Sequence, residues 1–144
     1  GGDSARLYEH LIKGKSLFAS VNAYISGDVD EGMFVFTGQL LPTTSEQEAE
    51  AAFWEEIALL QGAQISDYEL EKVKNKFEAN TLFGELNVMN KAMNLGYYEM
   101  IGDLPLINRE VEVYRSLQRS DIADFAQRIF REENSSTLIY RAGK

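Results

Sequence analysis

The sequence predicts an α+β domain, with a small antiparallel-rich sheet made of one hairpin and a C-terminal strand and several helices packed on one face of it. Three observations carry this. Residues 17–25 alternate in the period of a strand and are followed by a turn and a second strand-like run over 33–41. Two capping boxes, Ser45 with Glu48 and Ser66 with Glu69, each open a stripe of apolar residues at helical spacing. Further helical stripes then lead to a short closing strand at 137–141, so the order is helix, strand, strand, helices, strand.

Asp3 or Ser4 caps a first helix that runs to about Lys13, with Leu7, Tyr8, Leu11 and Ile12 inward and Gly14 at the stop. His10 lies off that stripe, where a histidine is ordinarily a surface residue. Leu17, Ala19, Val21, Ala23 and Ile25 then alternate with Phe18, Ser20, Asn22, Tyr24 and Ser26, and residues 27–32 are rich in turn formers, so the flanking runs pair as an antiparallel hairpin. Asp28, Asp30 and Glu31 lack the ligand set and final bidentate acid of an EF-hand, and read as a solvated turn. Pro42 ends the second strand. The helix opened by Ser45 has the stripe Ala49, Phe53, Ile57 and Leu60, and Gly62 stops it.

The stretch 66–94 begins with the second capping box. Leu70, Val73 and Phe77 form its inward stripe, with Glu71–Lys74 and Glu69–Lys72 pairs on the other faces. The stripe continues through Leu86, Met89 and Met93 past Gly84, where a break or kink is expected because glycine inside a helix costs about 1 kcal/mol relative to alanine. Tyr97, Tyr98 and Met100 follow, Leu104-Pro105 breaks the pattern, and a further helix turns Ile107, Val111 and Tyr114 inward. Ser120 or Asp121 starts a last helix whose buried face is Ile122, Phe125, Ala126, Ile129 and Phe130.

At 144 residues the chain reads as one domain spanning 1–144, large enough to bury about 68% of its unfolded surface. A net charge of −9, from 14 basic and 23 acidic residues, provides no basic stripe for phosphates, which argues against nucleic acid and against an anionic membrane surface. The absence of cysteine excludes disulfides, thiolate metal sites and a cysteine nucleophile. Uninterrupted apolar runs stop at four residues, far short of a membrane span or signal core. These features leave the compartment open: a soluble chain, cytoplasmic or periplasmic if bacterial. The opening Gly1-Gly2-Asp3, without a methionine, reads as a fragment, a processed product or a tag remnant.

Catalytic patterns are absent. With His10 as the one histidine, no H-E-x-x-H or H-x-x-E-H zinc pair can be written. No G-x-S-x-G elbow, P-loop or G-x-G-x-x-G cradle occurs, and Glu55-Glu56, Glu132-Glu133 and Asp121 with Asp124 read as solvated helix faces.

The segments GGDSARLYEHL, KSLFASVNAY to MFVFTGQLLP, SDYELEKVKNKFEA and SDIADFAQRIFREENSSTLIY, in that order, resemble the non-catalytic domain of the insulinase-like (pitrilysin, mitochondrial-processing-type) zinc metallopeptidases. The resemblance implies an inverzincin-like α+β domain that carries no zinc and no catalytic residue itself. Its partners would be the parent chain's separate H-x-x-E-H zinc domain, which holds the zinc cofactor, and an unfolded, extended peptide enclosed between the two. In the family the segment after the G-G-x-S-x-R-L-Y start often reads L-R-E-x-x-G-L-A-Y-S-V, whose Arg and Tyr point to the partner's zinc site. Aligned on Leu11, Leu17 and Val21, those positions are Ile12 and Ala19, neither of which can donate a hydrogen bond; an oxyanion-type donor is typically worth about 2.7–4 kcal/mol. The domain is therefore expected to be a purely structural half or to belong to a parent that supplies those donors elsewhere; the alternative is a structural or assembly subunit of the same fold with no proteolytic role. The resemblance also implies truncation at the N-terminus, since a strand and most of a helix precede this segment in the family. That leads to the expectation of a three-stranded sheet with an open edge between the closing strand and the hairpin, and of a homodimer across that edge.

Overall fold

The structure is a computed structural model that describes residues 5–27 and 30–141. The expected caps Asp3 and Ser4 and the turn acid Asp28 lie outside the described residues. The chain forms two compact units, the first from Gly1–Ala58 with Ala92–Ile107 and the second from Leu59–Lys91 with Asn108–Lys144.

In the first unit the opening helix is wound as a π-helix over Tyr8–Gly14 rather than as an α-helix. It ends with Lys15 N–H donating to His10 O at 2.8 Å and Leu17 N–H to Leu11 O at 3.0 Å, with Ser16 at φ 53°. β1 (Phe18–Ile25) then pairs antiparallel with β2 (Phe34–Leu40). The sequence placed Phe18 and Val21 on opposite faces, and the structure corrects this. Phe18 stands opposite Leu40 while Ser20 stands opposite Gln39, so Ala19 is an extra residue, a β-bulge, and the alternation changes phase there. Leu17, Phe18, Val21, Phe36 and Leu40 consequently all reach one core with Leu11, Ala49 and Ala52.

That core is closed by α1 (Glu46–Gln61), whose first turn is capped by Ser45 Oγ accepting from Glu48 N–H at 3.2 Å. Phe36 stacks on Phe53 of α1 at 4.5 Å and meets Phe18 edge-on at 5.8 Å. Phe18 also lies over Gly38, where an added Cβ would come within 2.6 Å of the ring. The opposite face of the hairpin carries Ser20, Asn22, Thr37 and Gln39, all exposed.

In the second unit α2 (Asp67–Glu85) starts at Ser66, whose Oγ accepts from Glu69 N–H at 3.1 Å. Of its predicted inward stripe Leu70 and Phe77 are half-buried, but Val73 is not. Val73 is 55% exposed while Lys74 is buried beside Glu71. The cause is Arg115 of α4 (Leu106–Ser116), whose guanidinium forks across Glu71, Asn75 and Glu78 and so turns that row of α2 toward α4. Phe77 stacks flat on Tyr114, with centroids at 3.6 Å and planes at 9°.

The expected break near Gly84 falls just beyond it. α3 (Val88–Met100) begins after Asn87, whose Oδ1 accepts from Met89 N–H at 2.9 Å and Asn90 N–H at 3.2 Å. α5 (Arg119–Ile129) begins at Gln118 rather than at Ser120, because Asp121 accepts the Gln118 N–H at 2.7 Å in a reciprocal capping box. The closing strand at 137–141 does not form: among the described residues the sheet has β1 and β2 alone. A strand is held by a neighbouring ladder and by burial of alternate side chains, and here Leu138 and Tyr140 are 95% and 92% exposed.

Gly38→Ala is expected to lower stability by about 1–3 kcal/mol, as overpacking against a core ring does. Gly96→Ala, in α3 with nothing within 4 Å of the added Cβ, is expected to raise it by about 0.5–1 kcal/mol. Thermal and urea unfolding followed by circular dichroism would measure both.

Candidate functional site

The π-helical segment and the start of β1 position the two residues that the resemblance singled out. Ile12 lies on the wall of the core cluster, packed against it and partly buried. Ala19 sits at the bulge, exposed, with no partner across the ladder. Each carries only a hydrocarbon side chain, so neither can donate to a developing oxyanion.

His10, two positions before Ile12, belongs to a polar cluster that the sequence concealed. Glu56 of α1, read as part of a solvated Glu55-Glu56 pair, is 3% exposed. His10 Nδ1 is 2.7 Å from its Oε2, and the Arg6 guanidinium is 3.9 Å from the same oxygen. The burial follows from helical period: positions 49, 52, 53, 56 and 57 share one face of α1, and Glu56 falls among Ala49, Ala52 and Ile57. That period was the available signal, and the residue's charge hid it. Glu55, one position earlier, faces outward and pairs with Lys15.

This cluster neutralises a buried carboxylate and ties the π-helical segment to α1. It offers one imidazole nitrogen already engaged with Glu56. Among the described residues no three His, Cys, Asp or Glu side chains converge on a point that suits a metal ion. The donor set does not fit zinc, which wants three or four convergent ligands rich in imidazole or thiolate. The shallow depression on the hairpin's exposed face, about 290 Å³, is lined by Ser20, Asn22, Thr37 and Gln39 with Val21 and Gly38, a set that has hydroxyls and amides but no acid or base to activate a hydroxyl.

Residues 1–77 match the profile of the Peptidase M16 inactive domain. The chain belongs to the Peptidase M16 inactive-domain family. Two uncharacterised zinc proteases are similar to it, that of Rickettsia bellii at 26% identity and that of Rickettsia felis at 24%, each over 96% of this chain. The chain spans about a third, 34%, of the length of each of these relatives.

Solved structures share the inactive-domain fold. The inactive peptidase domain of a candidate zinc protease from Bordetella parapertussis superposes with a TM-score of 0.80 at 21% identity, covering 93% of this chain and 73% of that one. A protease from Helicobacter pylori matches with a TM-score of 0.80 at 20% identity, over 88% of this chain and 31% of that one. A candidate zinc protease of Bordetella pertussis matches at 0.74 and 22%, over 92% and 73%. The α+β reading of the sequence and its family resemblance agree with these findings. No helix among the described residues is long and apolar enough to cross a membrane.

The different settings of the two donor-less positions make a test. Ala19→Arg, at an exposed bulge, is expected to change stability by no more than about 0.5 kcal/mol, and Ile12→Arg to cost on the order of 1–3 kcal/mol by pressing a charge against the core. Urea unfolding of the two variants would separate them.

Proposed function

We propose that this domain is the inactive half of a longer zinc metalloendopeptidase, closing a proteolytic chamber and helping to hold an extended, unfolded peptide. Cleavage would be carried out by a separate H-x-x-E-H domain that holds the zinc. The observation that carries this reading is membership in the inactive-domain family, combined with hydrocarbon side chains at Ile12 and Ala19 and a single histidine already paired with Glu56.

On this reading the domain acts by shape and by enclosure. Excluding water around a bound peptide strengthens the electrostatic interactions inside the chamber. A wall of uncharged hydrogen-bonding groups and backbone holds a peptide through its main chain, with little preference for side chains. The donors that the Ile12 and Ala19 positions lack would then be supplied by another part of the longer protein.

The loss of both donors favours a second reading as well, a structural or assembly subunit of the same fold with no proteolytic role. One experiment decides between the two: zinc content and cleavage of an unfolded peptide such as insulin B chain, measured on this chain alone and on the full protein that contains it. The chamber-wall reading expects an inert, zinc-free domain and a full protein that cleaves with zinc bound. Inertness of both would establish the scaffold, and zinc-dependent cleavage by this chain alone would refute both readings.

A further inference from the structure

On the face of the hairpin turned away from its core, Ser20 stands opposite Gln39 and Asn22 opposite Thr37. All four are exposed, and among the described residues their side chains have no hydrogen-bond partner within the chain. Tyr24 and Val35, the next pair on this face, add no charge to it, although the chain is 26% charged with a net charge of −9. The four polar side chains line the 290 Å³ depression. A strand added beside β1 would pair in the plane of the sheet, at its edge, and leave this face as it is.

A carboxamide presents an N–H donor and a C=O acceptor side by side, which is the pair that a peptide's main chain answers with its own C=O and N–H. Asn22 and Gln39 are diagonal neighbours on the ladder, a spacing of about 7–8 Å. An extended chain repeats its same-facing groups at about 6.6–6.8 Å. The two carboxamides therefore match main-chain groups two residues apart, and the longer Gln39 side chain takes up the difference. Ser20 and Thr37 stand on the other diagonal, with hydroxyls that donate or accept.

The geometry points to Asn22 and Gln39 as a clamp on the main chain of an extended peptide that lies across the outer face of the hairpin. This rests on the peptide-holding role proposed for the domain, and it adds the residues and the mode of recognition. The uncharged face agrees with it, because a surface that holds unfolded peptides of varied sequence must neither select nor repel their acidic and basic side chains. A sugar could also answer hydroxyls and amides, but sugar rings are ordinarily held against an aromatic face, and no aromatic residue lines the depression.

The test is NMR titration of the chain with four probes: insulin B chain, a scrambled peptide of the same composition, the B chain N-methylated at alternate backbone nitrogens, and maltoheptaose. The expected result is saturable shifts of the Asn22 and Gln39 side-chain amides, alike for the first two probes and lost with N-methylation. Asn22→Ala and Gln39→Ala, at exposed positions, are expected to keep the hairpin's dichroism and to weaken binding about two- to tenfold each. No binding, shifts confined to other residues, undiminished binding of the N-methylated peptide, or shifts of the two amides with maltoheptaose alone would each overturn the clamp. Cleavage by the full protein keeps this separate from the peptidase reading. The double variant is expected to raise KM with kcat unchanged, and an unchanged KM in a protein that still cleaves with zinc overturns the clamp alone. An inert full protein refutes the peptidase reading, and the titration of the chain still decides the clamp.

Discussion

Ala19 has no partner across the ladder, and that unpaired residue determines what the first unit can bury. In a regular strand successive side chains alternate between faces, so Phe18 and Val21 would stand on opposite sides. The bulge inserts one residue and reverses the alternation, which puts both on the face covered by α1. Burying one large apolar side chain is worth about 1.5–3 kcal/mol, comparable to a sizeable share of the whole stability of a small domain. The π-helical segment meets the same requirement from the other side, delivering Leu11 into the core and handing the chain to Leu17 and Phe18.

The second unit is organised by different forces. A stacked ring pair, Phe77 on Tyr114, lies beside an arginine fork over Glu71, Asn75 and Glu78. Surface ion pairs contribute up to about 1 kcal/mol each and often less, while an aromatic pair adds about 0.5–1.5 kcal/mol beyond its buried area. The rings and the fork are therefore of comparable weight, and the fork sets the rotation of α2 about its axis. That rotation is why Lys74 is buried and Val73 is not.

Much of this was legible from residue type and spacing. Ser45 and Ser66 cap the helices they were expected to cap, because a hydroxyl placed before an apolar stripe has few other uses. The hairpin followed from alternation and a turn, and the break after Gly84 from helix propensity. The failures have a common cause, which is that each depended on a partner distant in sequence. Strand period alone cannot reveal a bulge, since the phase change is set by what β1 must reach on α1. Glu56 has the period of a core residue and the chemistry of a surface one, and the histidine that reconciles them lies 46 positions away. The 137–141 run has strand-like residues, yet a ladder requires a neighbour that local sequence does not specify. At the Ile12 and Ala19 positions the chemistry was readable at once, because a hydrocarbon side chain has no hydrogen to give.

The contact between Phe18 and Gly38 has an evolutionary consequence. The two residues share one fixed volume under the hairpin, so they cannot vary independently: a relative that gains a methyl or larger group at the glycine position has room for it only if the facing aromatic shrinks. Such exchanges would appear across the family as correlated substitutions between residues 20 apart in this chain, leaving the total volume roughly constant while both identities drift.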